Sequence, residues 1–240
     1  MKNLVAQTGV YTLDFFGEDV LSVFTGREFT AARRPDFLSA LGQPFENLVL
    51  LKQIHSANLV LVKSRQRPDE QCQADGMLTT AEGIVLGILT ADCVPVYFWD
   101  AEKRVIGLAH AGWRGIYHQI APKMVQAFKQ NFNSKPSSIR VMFGPSIRKC
   151  CYEVGAEFSE YFPDFFVKIP DSKSGDGEIK GHMELTDALR AQLAEEGIAP
   201  ENIYDSSLCT SCQNDRYFSA RKEQGSSERI LSVLMIRPKN

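Results

Sequence analysis

The chain has 240 residues, 44% hydrophobic and 23% charged, which suits a globular protein with a sizeable core and argues for one compact domain over residues 1–240. A net charge of −2 leaves no basic excess to grip nucleic acid or an anionic membrane, so neither is an expected partner. The start, Met1–Thr8, lacks a signal peptide's apolar segment, and the most apolar run, Gly83–Trp99, is broken by Asp92 and Pro95, so no membrane span and a cytoplasmic location are expected. Six cysteines without an export signal argue for metal ligation or thiol chemistry, not for a disulfide framework.

In chain order, apolar and β-branched runs predict strands at Val20–Phe24, Leu48–Gln53, Asn58–Val62, Ile84–Thr90, Val94–Trp99, Val105–Ala109, Ile139–Phe143 and Arg229–Ile236. Helical spacing predicts Ala31–Leu41, then Ile116–Phe132 with Ile116, Ile120, Met124 and Phe128 on one stripe, then Glu184–Glu196 closed by Gly197. Ser64–Gln73 and Asp171–Gly181 read as loops by composition. Successive strands with occasional helices predict an α+β fold with a mixed, largely antiparallel sheet.

Val94–Trp99 and Val105–Ala109 flank four polar residues and read as a hairpin. If Trp99 pairs with Arg104, Cys93 falls opposite His110, close enough for a shared metal or a thiolate–imidazole pair. Pro95 restricts the first strand to an edge or irregular pairing. His55 follows the strand Leu48–Gln53 and supplies a third ligand type. Two histidines and a cysteine suit zinc with a fourth position left open, although each residue alone reads better as simply packed or hydrogen-bonded.

Gly112-Trp113-Arg114-Gly115 leads into the predicted helix, where free N–H groups and the Arg114 fork could hold an anion; the competing reading is a turn with a solvated arginine. Asp75 and Asp92 are candidates for supporting ligands or moving protons, and Asp75-Gly76 reads also as a turn. Cys209-Thr210-Ser211-Cys212 lacks a second pair, since Cys150-Cys151 has the wrong spacing for a knuckle, and a structural or buried role is expected. His118 and His182 read as surface histidines.

These residues lie in segments that resemble a bacterial family labelled multicopper polyphenol oxidase or laccase-domain proteins, also described as purine nucleoside phosphorylases with adenosine deaminase activity, one branch being a peptidoglycan editing factor. The matching segments are Lys52–Ser56, Ala74–Thr79, Leu89–Val96, Gly107–Gly115, Gly144–Ile147, Cys151–Gly155, Cys209-Thr210 and Tyr217–Arg221. The resemblance implies metal ligands at His55, Cys93 and His110, and an α/β sandwich resembling a deamidase-toxin-like cysteine hydrolase fold. The family's Arg-Gly-Gly-Val-Ser is replaced here by Phe24–Thr30, with Arg27 standing in for the arginine, and its C-terminal Thr-Gly-Arg by Ser226–Arg229.

The resulting expectation is a zinc-dependent purine nucleoside enzyme, with copper as an alternative metal. Its substrates would be a purine nucleoside and phosphate, with Cys93, His110 and Asp92 catalytic and Arg114, Gln53 and Arg27 as substrate or phosphate contacts. Two other enzymatic readings stay open: a Cys93–His110 hydrolase or amidase acting in peptidoglycan precursor editing, and a single-copper polyphenol oxidase. Four histidines in all are too few for a four-copper centre. A non-enzymatic metal-binding partner protein is the third class.

Overall fold

A computed structural model describes residues 4–7, 9–63, 72–173 and 179–239. The stretch Ser64–Gln73 therefore lies mostly outside the described residues, as do 1–3 at the chain start. The strands are β1 (Leu4–Gln7), β2 (Val10–Leu13), β3 (Val20–Thr25), β4 (Leu48–Val49), β5 (Leu59–Leu61), β6 (Gly76–Thr79), β7 (Val85–Thr90), β8 (Val94–Asp100), β9 (Val105–Ala111), β10 (Ile139–Phe143), β11 (Glu153–Gly155), β12 (Phe166–Lys173), β13 (Ile179–Met183), β14 (Ile203–Asp205) and β15 (Ile230–Ile236). The helices are α1 (Arg34–Ala40), α2 (Trp113–Tyr117), α3 (Ile120–Phe132), α4 (Phe158–Tyr161) and α5 (Leu185–Glu195).

Two six-stranded sheets form, in the orders β1-β2-β3-β15-β7-β4 and β14-β10-β8-β9-β6-β5, beside a small sheet β11-β13-β12. Pairing is mostly antiparallel, with parallel pairs β4–β7, β5–β6 and β10–β14. The expected mixed α/β architecture is thus present, with two stacked sheets where the strand count alone predicted one. Phe24, Leu86, Ile88 and Leu234 of the first sheet pack against Met77, Tyr97, Trp99, Ile106 and Leu108 of the second. The outer face of the second sheet packs on α3 and α5, and that of the first packs on Phe37 and Leu38 of α1. Each buried Val, Leu, Ile or Phe in these layers contributes about 1.5–3 kcal/mol.

Every residue of β8 and β9 is buried, so both faces of these strands carry core. The two-residue period sorts them. Val94, Val96 and Phe98 face the helices, and Tyr97 and Trp99 face the other sheet. On β9, Val105 and Ala109 face the helices while Ile106 and Leu108 face inward. His110 continues the inward series.

Several expectations need correction. The hairpin pairs Asp100 with Val105 and Pro95 with His110, a shift of two from the expected register. A shift of two preserves the face, so Cys93 and His110 stay on the same side of the sheet. Pro95 does not confine β8 to an edge: β8 lies between β10 and β9. The ladder to β10 ends at Val96–Phe143: the Pro95 carbonyl accepts from Gly144 N at 3.0 Å, but Pro95 has no N–H to return that bond.

The helix expected over Ile116–Phe132 is broken between α2 and α3, with Gln119 left-handed at φ 64. Pro122 explains the break, because it cannot donate to the His118 carbonyl four residues back and its ring crowds that group. Glu184 caps α5 by accepting from Thr186 N, and Gly197 closes it at φ 87 as expected. Asp171–Gly181 is not simply a loop: 166–173 and 179–183 pair antiparallel, placing His182 on β13. Among the described residues no helix is long and apolar enough to cross a membrane.

Candidate metal centre and active site

The site forms at one end of the sandwich, where two connections cross between the sheets. Ala91-Asp92-Cys93 links β7 of the first sheet to β8 of the second, and 50–58 links β4 to β5. His110 ends β9. Asp75 immediately precedes β6 and extends its ladder opposite His110, whose N–H donates to the Asp75 carbonyl at 2.7 Å. The sheet period therefore places Asp75, Cys93 and His110 on the inward face.

Ligand atoms of His55, Cys93 and His110 all lie within 4.8 Å of one another. The two imidazole rings meet edge to face with centroids 4.8 Å apart. Gly112 lets them close: a Cβ there would stand 2.8 Å from Cys93 Sγ and 3.1 Å from His55 Cδ2. The three residues reached from hairpin geometry, strand ends and resemblance are thus brought together.

The wholly buried Asp75 organises the centre. Its Oδ1 lies 2.8 Å from His110 Nδ1 and accepts from His55 N at 3.0 Å. Its Oδ2 accepts from Ser56 N and Ser56 Oγ, each at 2.7 Å, and from Ile54 N at 3.2 Å. The carboxylate thereby holds the turn in which His55 adopts φ 59. Burial alone would raise Asp75, but hydrogen bonds from His110 and Ser56 hold it at about 2.

With Nδ1 committed to Asp75, His110 presents Nε2 to Cys93. Burial opposes charge on both partners, yet mutual hydrogen bonding prevails. Cys93 is lowered to about 6 by His110 and His55, and His110 is raised to about 9 by Asp75 and Cys93. Without a metal the pair is a thiolate–imidazolium. Two imidazoles, one of them held by a carboxylate, and one thiolate also fit a zinc or copper ion, whose ligands must be deprotonated and oriented from behind. The geometry supports a His-Cys-His site.

A cavity of about 650 Å³ opens over the trio. Leu51, Leu89, Ile147 and Leu185 give it apolar walls, Trp113 and Tyr152 give it aromatic ones, and Arg221 and Arg229 supply cations. Burial pushes the Tyr152 phenol up, keeping it neutral.

Other expected contacts fall differently. Gln53 lines the cavity, but both ends of its amide bind the Leu89 backbone at 2.8 Å. Asp92 lines it too, at φ 87, with Oδ1 accepting from Thr210 Oγ1 at 2.6 Å and Oδ2 from Arg221 N at 2.7 Å. Arg27 and Arg114 are not among the lining residues. Arg27 pairs with Glu223 and lies over Phe218, and Arg114 is exposed and stacked on Trp113. The helix that starts after Gly112 is a short one of five residues, Trp113–Tyr117.

Arg221, Arg229, Trp113 and Tyr152 are the cavity residues that sequence reading did not assign there. Trp113, Tyr152 and Arg221 stand in segments that match the family, which is the usable signal for them. Cys150-Cys151 and Cys209/Cys212, set aside on spacing, meet in space: their sulfurs lie within 4.8 Å of one another. Chain folding replaces the local spacing rule, because Ser146 and Cys209 are bridged in parallel.

A two-sheet α/β sandwich with a two-imidazole, one-thiolate centre at the sheet crossover defines a class of pocket protein suited to metal or thiol chemistry. The chain belongs to the multi-copper polyphenol oxidoreductase laccase family, whose model matches residues 24–237. It is 33% identical over 225 residues to adenosine deaminase RL5 of an unknown prokaryotic organism, covering 90% of this chain and 83% of that protein. It is 32% identical over 204 residues to purine nucleoside phosphorylase YlmD of Geobacillus stearothermophilus, covering 81% of this chain and 74% of that one. The crystal structure of YlmD from the same organism superposes with TM-score 0.87 at 26% identity over 98% of both chains.

Proposed function

We propose that this protein is a zinc-dependent purine nucleoside enzyme of one catalytic domain, phosphorolysing adenosine- and inosine-type nucleosides and deaminating adenosine. The observation that carries the reading is the Asp75–His110 bond of 2.8 Å beneath a His-Cys-His set that opens into a cavity of about 650 Å³. Relatives named as an adenosine deaminase and a purine nucleoside phosphorylase support the substrate class.

His55, Cys93 and His110 would hold the ion, which supplies a Lewis acid able to make water nucleophilic near neutral pH. Asp75 fixes the His110 tautomer and presents Nε2 toward the cavity. The volume lies in the range of small-molecule sites, and the Trp113 and Tyr152 rings with Leu89 and Leu185 offer apolar faces to a purine. Arg221 and Arg229 are the cations placed to receive phosphate, in preference to Arg27 and Arg114. Asp92 keeps its proton-moving assignment only if substrate displaces the Thr210 hydroxyl; its two bonds otherwise make it an anchor for the segment that carries Arg221.

Chromatography of adenosine incubated with protein, with and without phosphate, beside His55→Ala, tests the reading. Adenine formed only with phosphate, and inosine formed without it, are the expected products, both lost in the variant. Unchanged adenosine in a zinc-loaded preparation would sink it.

The thiolate–imidazolium state of Cys93 and His110 favours a second reading: a cysteine hydrolase or amidase, related to the deamidase-toxin-like fold and suited to peptidoglycan precursor editing. Inactivation by iodoacetamide in the presence of chelator would select it. A single copper remains a third occupant of the same ligands. His118, exposed beyond α2, and His182 on β13 are not in the cavity lining and add no ligands for a multicopper cluster.

A further inference from the structure

We propose that Cys150, Cys151, Cys209 and Cys212 form a second metal site, a closed zinc tetrathiolate that staples the wall of the cavity. The four sulfurs lie within 4.8 Å of one another, with Cys150–Cys209 at 3.6 Å, Cys150–Cys212 at 3.4 Å and Cys151–Cys212 at 3.3 Å. Four thiolates around zinc, each bonded at about 2.3 Å, stand about 3.8 Å apart along the edges of the tetrahedron. A disulfide requires about 2.05 Å, and every cysteine is free. The spacing is that of sulfurs gathered around a centre.

Local backbone prepares both halves. In an extended chain, adjacent cysteines point to opposite sides. Here the turn closed by Cys151 N and Tyr152 N on the Arg148 carbonyl, at 2.8 and 2.9 Å, brings Cys150 and Cys151 to one side. Across from it, Cys209–Gln213 closes through Gln213 N on the Cys209 carbonyl at 3.0 Å. Cys212 N donates to Cys209 Sγ at 3.5 Å, and the Arg148 backbone also bonds that sulfur.

The location supplies a reason for such a staple. Among the described residues, 206–229 contains no helix or strand, an unusually long connection for a compact domain. It carries Ala220, Arg221 and Arg229 to the cavity and Thr210 to Asp92. The other half of the cluster adjoins Tyr152, on the cavity wall. Soft thiolates select zinc, and four of them leave no open position, so the role is structural.

The test uses the full chain purified under reducing conditions without added metal. Elemental analysis of a His55→Ala/Cys93→Ala double variant isolates the cluster from the His-Cys-His centre. One zinc per chain is expected there, falling to none when Cys212→Ser is added. Cobalt exchanged into the double variant should give the intense visible bands of tetrahedral cobalt thiolate, a readout independent of whether the serine variant folds. No metal and no cobalt thiolate bands, copper or iron in place of zinc, or an intact mass showing disulfides in the freshly reduced protein would each overturn the proposal.

Discussion

Asp75 Oδ1 stands 2.8 Å from His110 Nδ1, and the same oxygen accepts the backbone N–H of His55. One buried carboxylate thus orients one ligand through its ring and the other through its backbone. Asp75→Asn removes the charge while keeping the shape. Loss of such a supporting partner costs about 10–100-fold in metal affinity, and competition with a chromophoric chelator should register that loss. Unchanged zinc affinity would show that Asp75 only shapes the His55 turn.

Gly112→Ala tests the closeness of the ligands. The added methyl group would lie 2.8 Å from Cys93 Sγ and 3.1 Å from His55 Cδ2, distances that force one ligand to move. Gly112 has φ −77, so its backbone accepts alanine without strain. The expected result is a folded protein with the His-Cys-His zinc and nucleoside turnover both lost. Full metal occupancy in this variant would contradict the geometry.

The metal-free protein should have a stability window set by Cys93 and His110. The Cys93 thiol falls from its ordinary 9.0 to about 6, so its contribution is full above 9.0 and lost as pH falls through 6. His110 rises from 6.5 to about 9, so its contribution is full below 6.5 and lost as pH climbs through 9. The pair therefore stabilises most between about 6 and 9. Thermal melts of chelator-stripped wild type minus those of Cys93→Ala should trace a bell over that window, whereas a flat difference would rule out the ion pair.

Phosphate dependence discriminates among the arginines. Arg221→Ala and Arg229→Ala remove cations that line the cavity, and a five-fold or greater rise in the KM for phosphate corresponds to roughly 1 kcal/mol or more of lost charge-assisted bonding. Arg114→Ala, exposed on the far side of the Trp113 ring, should leave that constant nearly unchanged. The reverse ranking would return the anion site to the segment after Gly112.

Much of this centre was legible in the linear chain. Apolar runs of the right length marked β3, β7, β8, β9, β10 and β15, because strands buried on both faces are rich in apolar residues, with exposed Arg140 on β10 an exception. The hairpin between β8 and β9 put Cys93 and His110 on one face even with the register displaced by two, since the side-chain period is two. His55, Cys93 and His110 could be named because ligand types at strand ends carry a local signal.

Tertiary structure alone decided the rest. Asp75-Gly76 looks like a turn until β6 lies beside β9 and the carboxylate meets His110. Arg27 and Arg114 looked as suited to phosphate as Arg221 and Arg229, because a guanidinium has no local mark of what it faces. The four cysteines failed a spacing rule that applies to a continuous chain, yet the parallel bridge of Ser146 to Cys209 carries the distant pairs together. Periodicity and residue type are properties of neighbours in sequence, so the chain by itself determined the main core strands, the faces of β8 and β9 and the candidate trio His55, Cys93 and His110. Which carboxylate, cation and thiol stand beside one another is a property of neighbours in space, set by how two sheets stack and where their connections cross.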